Sequence, residues 1–148
     1  MKTRTLLLLA VGTALAILLA GGVLLFQLSN EQNAVHSIQL GSKVQVGDVS
    51  IVVHDATPVG ASADRPVLGV DVSIGGVDDP DGLDSFLLVT GDRSLAPIDA
   101  PSDGRCTEIT TEVVECRLDF DVSGSETSSR VLVIRRGDQQ ANWRLPTG

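Results

Sequence analysis

Tyrosine is absent from this 148-residue chain, and other aromatics are few: three Phe and one Trp. Domains that stack sugars usually display several exposed aromatic rings, so this scarcity disfavours a carbohydrate-binding role. Lysine occurs only at positions 2 and 43. The eleven basic residues face nineteen acidic ones, and Lys2 and Arg4 stand ahead of the long apolar run. The chain beyond that run is strongly acidic and repels phosphate backbones, which argues against nucleic acid as a partner. Two cysteines, with neither the Cys-x-x-Cys spacing nor further Cys ligands, disfavour a redox or zinc motif. No Ser- or Cys-centred motif sets a nucleophile beside a base, so no enzymatic activity is expected.

The residues that are present begin their message with Thr5 to Phe26, a run without a charged residue. As a helix it is about 33 Å long, close to the hydrocarbon thickness of a bilayer. Lys2 and Arg4 precede it and no basic cluster comes after it, which predicts a cytoplasmic N-terminus and an extracytoplasmic remainder. The expected organisation is a cytoplasmic tail (1–4), a transmembrane helix acting as a signal anchor (5–26), a polar stalk (27–37) and one β-sandwich domain (38–148). A cleaved signal peptide, releasing a secreted protein, is the alternative. Ala20-Gly21-Gly22 resembles a cleavage site, but Val23-Leu24-Leu25-Phe26 carries the apolar run past it. Gly12, Ala16 and Ala20 recur every four residues, a spacing also used in helix–helix contacts. Small residues are common enough in such spans to need no further explanation.

Beyond the stalk the apolar period becomes two. Ile38, Leu40, Val44 and Val46 alternate, then Val49, Ile51 and Val53 toward Ala56, where Thr57-Pro58 and Gly60 predict a break. Leu68, Val70, Val72 and Ile74 share one face of the clearest strand, with Asp71 and Ser73 on the other. Phe86 to Thr90 and Leu95 to Ile98 are shorter candidates. Cys116, Leu118, Phe120 and Val122 alternate with Arg117, Asp119 and Asp121. Leu132 and Ile134 share a face, and Trp143 with Leu145 closes the chain. Seven to nine short strands separated by turn residues predict an all-β, antiparallel sandwich.

Cys106 and Cys116 sit symmetrically about Thr111, as cross-strand partners in a hairpin would, and a structural disulfide stabilising the domain by about 2–3 kcal/mol is expected. Asp78, Asp79, Asp81 and Asp84 cluster around Gly82, and oxygen ligands in a Gly-containing turn suit calcium. The bidentate Glu of an EF-hand is missing and Pro80 restricts the backbone, so a solvated acidic turn is the preferred interpretation. A calcium or small-ligand binding protein is kept as an alternative function. His36, in the stalk, and His54, placed at a strand end, are expected to be plain surface histidines. Arg136-Gly137-Asp138 spells an adhesion tripeptide that also arises by chance at a strand-ending turn. Trp143 is expected in the core.

The segments Ile38 to Asp48, Val49 to Ala56 and Leu68 to Ile74 resemble the opening of a family of immunoglobulin-like extracellular domains of unknown function, found on actinobacterial membrane proteins and lipoproteins. Cys116 to Val122, Val131 to Asp138 and Trp143-Arg-Leu145 are similar to that family's closing strands. The family is related in fold to a secreted mycobacterial immunoprotective antigen. The resemblance implies an immunoglobulin-like sandwich outside the membrane and brings no catalytic residues. Two features depart from it: Gly75-Gly76 stands where an Asn is frequent, and the lipid-accepting Cys of many members is missing. The expected function is a membrane-anchored binding or accessory module whose partner is another envelope protein or a second copy of itself.

Overall fold

The computed structural model describes residues 3–33, 37–60, 65–91, 93–100, 102–125 and 129–146, with the backbone alone for 27–33. The chain divides into two compact units, residues 1–36 and 37–148. In the first, α1 (Thr3–Asn33) is apolar on all sides from Thr5 to Phe26, and none of that stretch is buried. Its hydroxyl at Thr13 is satisfied internally by the carbonyls of Leu9 and Ala10, each at 3.0 Å. The helix continues through Gln27–Asn33, so the first part of the expected stalk is helical.

Among its described residues the second unit holds eight antiparallel strands in two four-stranded sheets. These are β1 (Lys43–Val46), β2 (Val49–Val59), β3 (Val67–Gly75), β4 (Phe86–Thr90), β5 (Arg93–Leu95), β6 (Val114–Asp121), β7 (Arg130–Arg136) and β8 (Gln139–Arg144). One sheet runs β1-β2-β3-β6 and the other β5-β4-β7-β8. The chain therefore crosses between sheets after β3, after β5 and after β6. Crossing is what permits the antiparallel sandwich, because each strand buries only one face.

That face is the one set by the period-two pattern. Val49, Ile51 and Val53 from β2, Leu68, Val70, Val72 and Ile74 from β3, Leu118 and Phe120 from β6, and Phe86 and Leu88 from β4 meet in one core. Leu132, Ile134, Ala141 and Trp143 complete it from β7 and β8, in the same sheet as β4, and Trp143 is fully buried. Two details of β2 depart from the sequence pattern. The expected break at Thr57-Pro58 does not occur, and the strand runs to Val59. Pro58 pairs with Leu68 on one side, while the neighbouring β1 reaches only to Val52, so no ladder donor is lost on the open side. His54 is not at a strand end either. It is the extra residue of a bulge between Val53 and Asp55. The bulge puts His54 and Asp55 both outside and returns Ala56 to the core.

Cys106 and Cys116 are joined, as expected, but not as hairpin partners. Arg105 and Arg117 form a parallel bridge, so the segment before Cys106 runs alongside β6 in the same direction. The residues between make an excursion instead of a turn. Ile109, fully buried, plugs one end of the sandwich. Its amide and carbonyl are both bonded to the backbone of Asp79, at 3.1 and 2.9 Å. Gly82 permits this, since a Cβ there would lie 2.5 Å from Ile109 Cδ1.

Candidate functional site

The outer face of the β1-β2-β3-β6 sheet carries the chemistry-bearing residues. Asp71 and Ser73 on β3 lie beside Arg117 and Glu115 on β6. One row further, Gly69 is opposite Asp119, and the missing side chain is what admits the neighbouring arginine. A Cβ on Gly69 would fall 2.6 Å from Arg117 Cδ and 2.4 Å from Val59 Cγ2. Arg117 donates from Nε to Asp119 Oδ1 at 2.7 Å. Arg105 donates to Asp119 Oδ2 from Nε and Nη2, at 2.8 and 2.7 Å. The Asp119 side chain is 1% exposed. Burial alone would raise its carboxyl, but the hydrogen bonds and charges of Arg117 and Arg105 outweigh it and hold the carboxyl below the ordinary carboxylate value. Asp119 thus faces outward, as the alternation predicts, yet lies sealed under two arginines.

Beside this triad lies an open groove of about 490 Å³. His54, Asp71, Glu115, Arg117 and the backbone of Gly104 line it, with the disulfide at Cys116 forming part of its wall. His54 Nε2 stands 2.6 Å from Ser73 Oγ. This pair was not legible in the sequence, because only the bulge brings His54 over Ser73. Ser73 is itself 8% exposed beneath the exposed imidazole and does not line the groove. The groove offers an imidazole and two carboxylates to a ligand. Among the described residues no group of three or more His, Cys, Asp or Glu is arranged to hold a metal ion.

The four aspartates of the acidic turn are not brought together as a cation site. Asp79 Oδ2 accepts from Arg136 Nη1 at 2.6 Å, and Asp79 Oδ1 accepts from the Asp81 amide at 3.2 Å. Asp78, Asp81 and Asp84 are exposed. Asp84 borders a separate small cavity of about 120 Å³ with Pro97, Ile98 and Cys106. Arg136 also binds Asp48 through Nε and Nη2, at 3.0 and 2.9 Å. One guanidinium therefore ties the β1–β2 turn and the acidic turn to β7. The arginine of Arg136-Gly137-Asp138 is engaged inside the domain, whereas Asp138 is exposed. His36 lies outside the described residues.

The fold and these features define a class: a disulfide-linked antiparallel β-sandwich preceded by an apolar helix. No family model matches the sequence, and no curated protein matches it. Solved structures do. A secreted protein of Mycobacterium tuberculosis, MPT63, is similar over 75% of this chain and 99% of its own, at 16% identity and a TM-score of 0.51. An uncharacterized β-sandwich protein from Clostridium difficile 630 is similar over 74% of this chain and 93% of its own, at 10% identity and a TM-score of 0.53. At these identities the likeness is one of fold.

Proposed function

We propose that the chain is a single-pass envelope protein whose sandwich works outside the membrane as a binding or accessory module, without catalytic activity. The observation that carries this is the helix from Thr3 to Phe26, 24 residues long and with no buried face. A helix apolar all round needs an apolar surrounding. Lys2 and Arg4 favour the orientation with the N-terminus in the cytoplasm. The disulfide suits an oxidising compartment. MPT63, similar in fold, is described as secreted.

The sandwich is immunoglobulin-like in this proposal. Taking β2, β3 and β6 as strands A, B and E, and β5, β4, β7 and β8 as C′, C, F and G, the sheet orders support this reading, with β1 outside A and no strand at the D position among the described residues. The outer face of β3 and β6, with its groove, is the candidate contact surface.

Protease treatment of intact cells expressing a C-terminally tagged chain, followed by carbonate extraction of membranes, tests the topology. The tag is expected to be digested from outside while the undigested protein stays with the membrane at its full mass. A tag protected in intact cells overturns the orientation. A carbonate-soluble product shortened by the helix replaces the anchor with a cleaved signal peptide. In-cell crosslinking of the full-length protein, with a span-deleted control, then reports whether a partner is held by the sandwich or by the helix.

A further inference from the structure

We infer that the open edge of β6 at Glu115 receives an extended, basic polypeptide segment as an added strand. This deepens the binding-module proposal and rests on it. The edge of β6 is covered over only part of its length. Arg117 donates its amide to the Gly104 carbonyl at 2.8 Å and accepts from the Cys106 amide at 2.9 Å, and the Asp119 carbonyl accepts from Ile98 at 2.8 Å. Backbone groups alternate sides along an antiparallel strand. The amide and carbonyl of Glu115 therefore point the same way as those of Arg117, away from β3. The covering segment runs in the same direction as β6 and enters through the turn Ser102–Arg105, so on the Glu115 side the cover ends at Gly104, and no described backbone bond takes up the Glu115 pair. The groove lies at this place.

Two further features suit a strand-like occupant there. Val113 and Val114 are 59% and 47% exposed, the only exposed large aliphatic residues among the described residues of the sandwich. An unpaired edge flanked by exposed valines is a template for strand addition, with backbone bonds supplying affinity and alternate side chains supplying selectivity. The local charge selects the occupant. Arg105 and Arg117 are both committed to Asp119, and Asp71 faces Arg117 across the strand pair. Glu112 and Glu115 make no ion pair among the described residues. A second copy pairing through the same edge would bring Glu115 against its own kind, in a chain of net charge −8. A segment carrying Lys or Arg at alternate positions meets these carboxylates instead.

The test uses the full-length protein in a neutral detergent with a labelled decapeptide of alternating Val and Lys, and the same peptide with Glu in place of Lys. Anisotropy measures binding and amide hydrogen exchange locates it. The Val–Lys peptide is expected to bind and to slow exchange at Glu115, and the Val–Glu peptide to do neither. Glu115→Pro removes the outward amide without taking a bond from the β3 ladder, and is expected to weaken binding about tenfold. Glu115→Lys keeps the strand amide and is expected to weaken the Val–Lys peptide through charge, so the inference stays testable if the proline variant does not fold. Equal binding of both peptides, or protection away from β6, overturns it. Protection of Glu115 without peptide, together with a concentration-dependent dimer in sedimentation, assigns the edge to a second copy and also overturns it. In-cell crosslinking separates the two levels. A sandwich-held partner retained by Glu115→Lys rejects the edge but keeps the module; no sandwich-held partner for the wild type rejects the module itself.

Discussion

Replacing Asp119 by Asn keeps the shape and removes the charge on which two arginines converge. Three charge-assisted bonds of 2.7–2.8 Å end on this carboxylate. Removing one member of a buried ion pair costs about 3–5 kcal/mol, because the remaining charge is left uncompensated. Here Arg105 and Arg117 keep 14% and 26% side-chain exposure, so water recovers part of that loss. The expected cost at pH 7 is therefore about 2–4 kcal/mol, a large share of the roughly 5–15 kcal/mol that stabilises a typical domain. For a domain of this size that lowers Tm by about 8–16 °C. Trp143, the single tryptophan and fully buried, gives a fluorescence probe confined to the sandwich.

The lowered carboxyl fixes the sign of the pH dependence. A group whose folded pKa lies below its unfolded one contributes stability that is present above the unfolded value and lost as pH falls through the folded one. The gap between wild type and Asp119→Asn is thus expected to be widest above about pH 5, to narrow as pH falls below the ordinary Asp value of about 4, and to close only once pH has passed the lowered folded value. Asp121→Asn, at an exposed position on the same face, is the control and should leave the midpoint nearly unchanged. A loss under about 1 kcal/mol, or a gap that persists unchanged at low pH, refutes the assignment of Asp119 as a buried, charge-paired anchor.

Other perturbations have equally direct readouts. Replacing both Cys106 and Cys116 by Ser is expected to cost about 2–3 kcal/mol in urea denaturation. Combined with Asp119→Asn it should cost less than the sum, because the disulfide holds the segment that delivers Arg105; strict additivity in the double-mutant cycle counts against that coupling. Gly69→Ala forces a methyl into Arg117 and Val59, and thermal unfolding should report a loss of about 1–3 kcal/mol; an unchanged Tm would show that Arg117 does not need to cross Gly69. Millimolar calcium is expected to leave Tm unchanged, since Asp79 is taken by Arg136, and a rise in Tm would restore the acidic turn as a cation site.

Much of the architecture was legible because strands bury alternate residues. The inward faces of β3, β6 and β7 are the ones the alternation marks, and Trp143 is in the core where a lone tryptophan in an aromatic-poor domain belongs. Where the pattern misled, a neighbour supplied the missing condition. Pro58 stays in β2 because β1 has already ended beside it. The cysteine spacing suggested a hairpin because a symmetric loop resembles one, but Ile109 contributes more by entering the core than a tight turn would. The polar cluster around Asp119 was less accessible still. Alternation shows that Asp119 and Arg117 project outward, yet nothing local shows that Arg105, from a loop, folds back over them.

By itself the sequence determined the apolar helix, the acidic character of the domain beyond it, the strand-rich class and the cysteine pair, since each depends on composition or on a period within one segment. Tertiary structure decided which segments meet. It joined Arg105 and Arg117 on Asp119 and set Arg136 between Asp48 and Asp79. It placed His54 over Ser73 through a one-residue bulge and ended the cover of β6 at Gly104, leaving Glu115 at an open edge. Those outcomes depend on strand order, register and loop path, which are settled by how two sheets share one core and not by the pattern of any single strand.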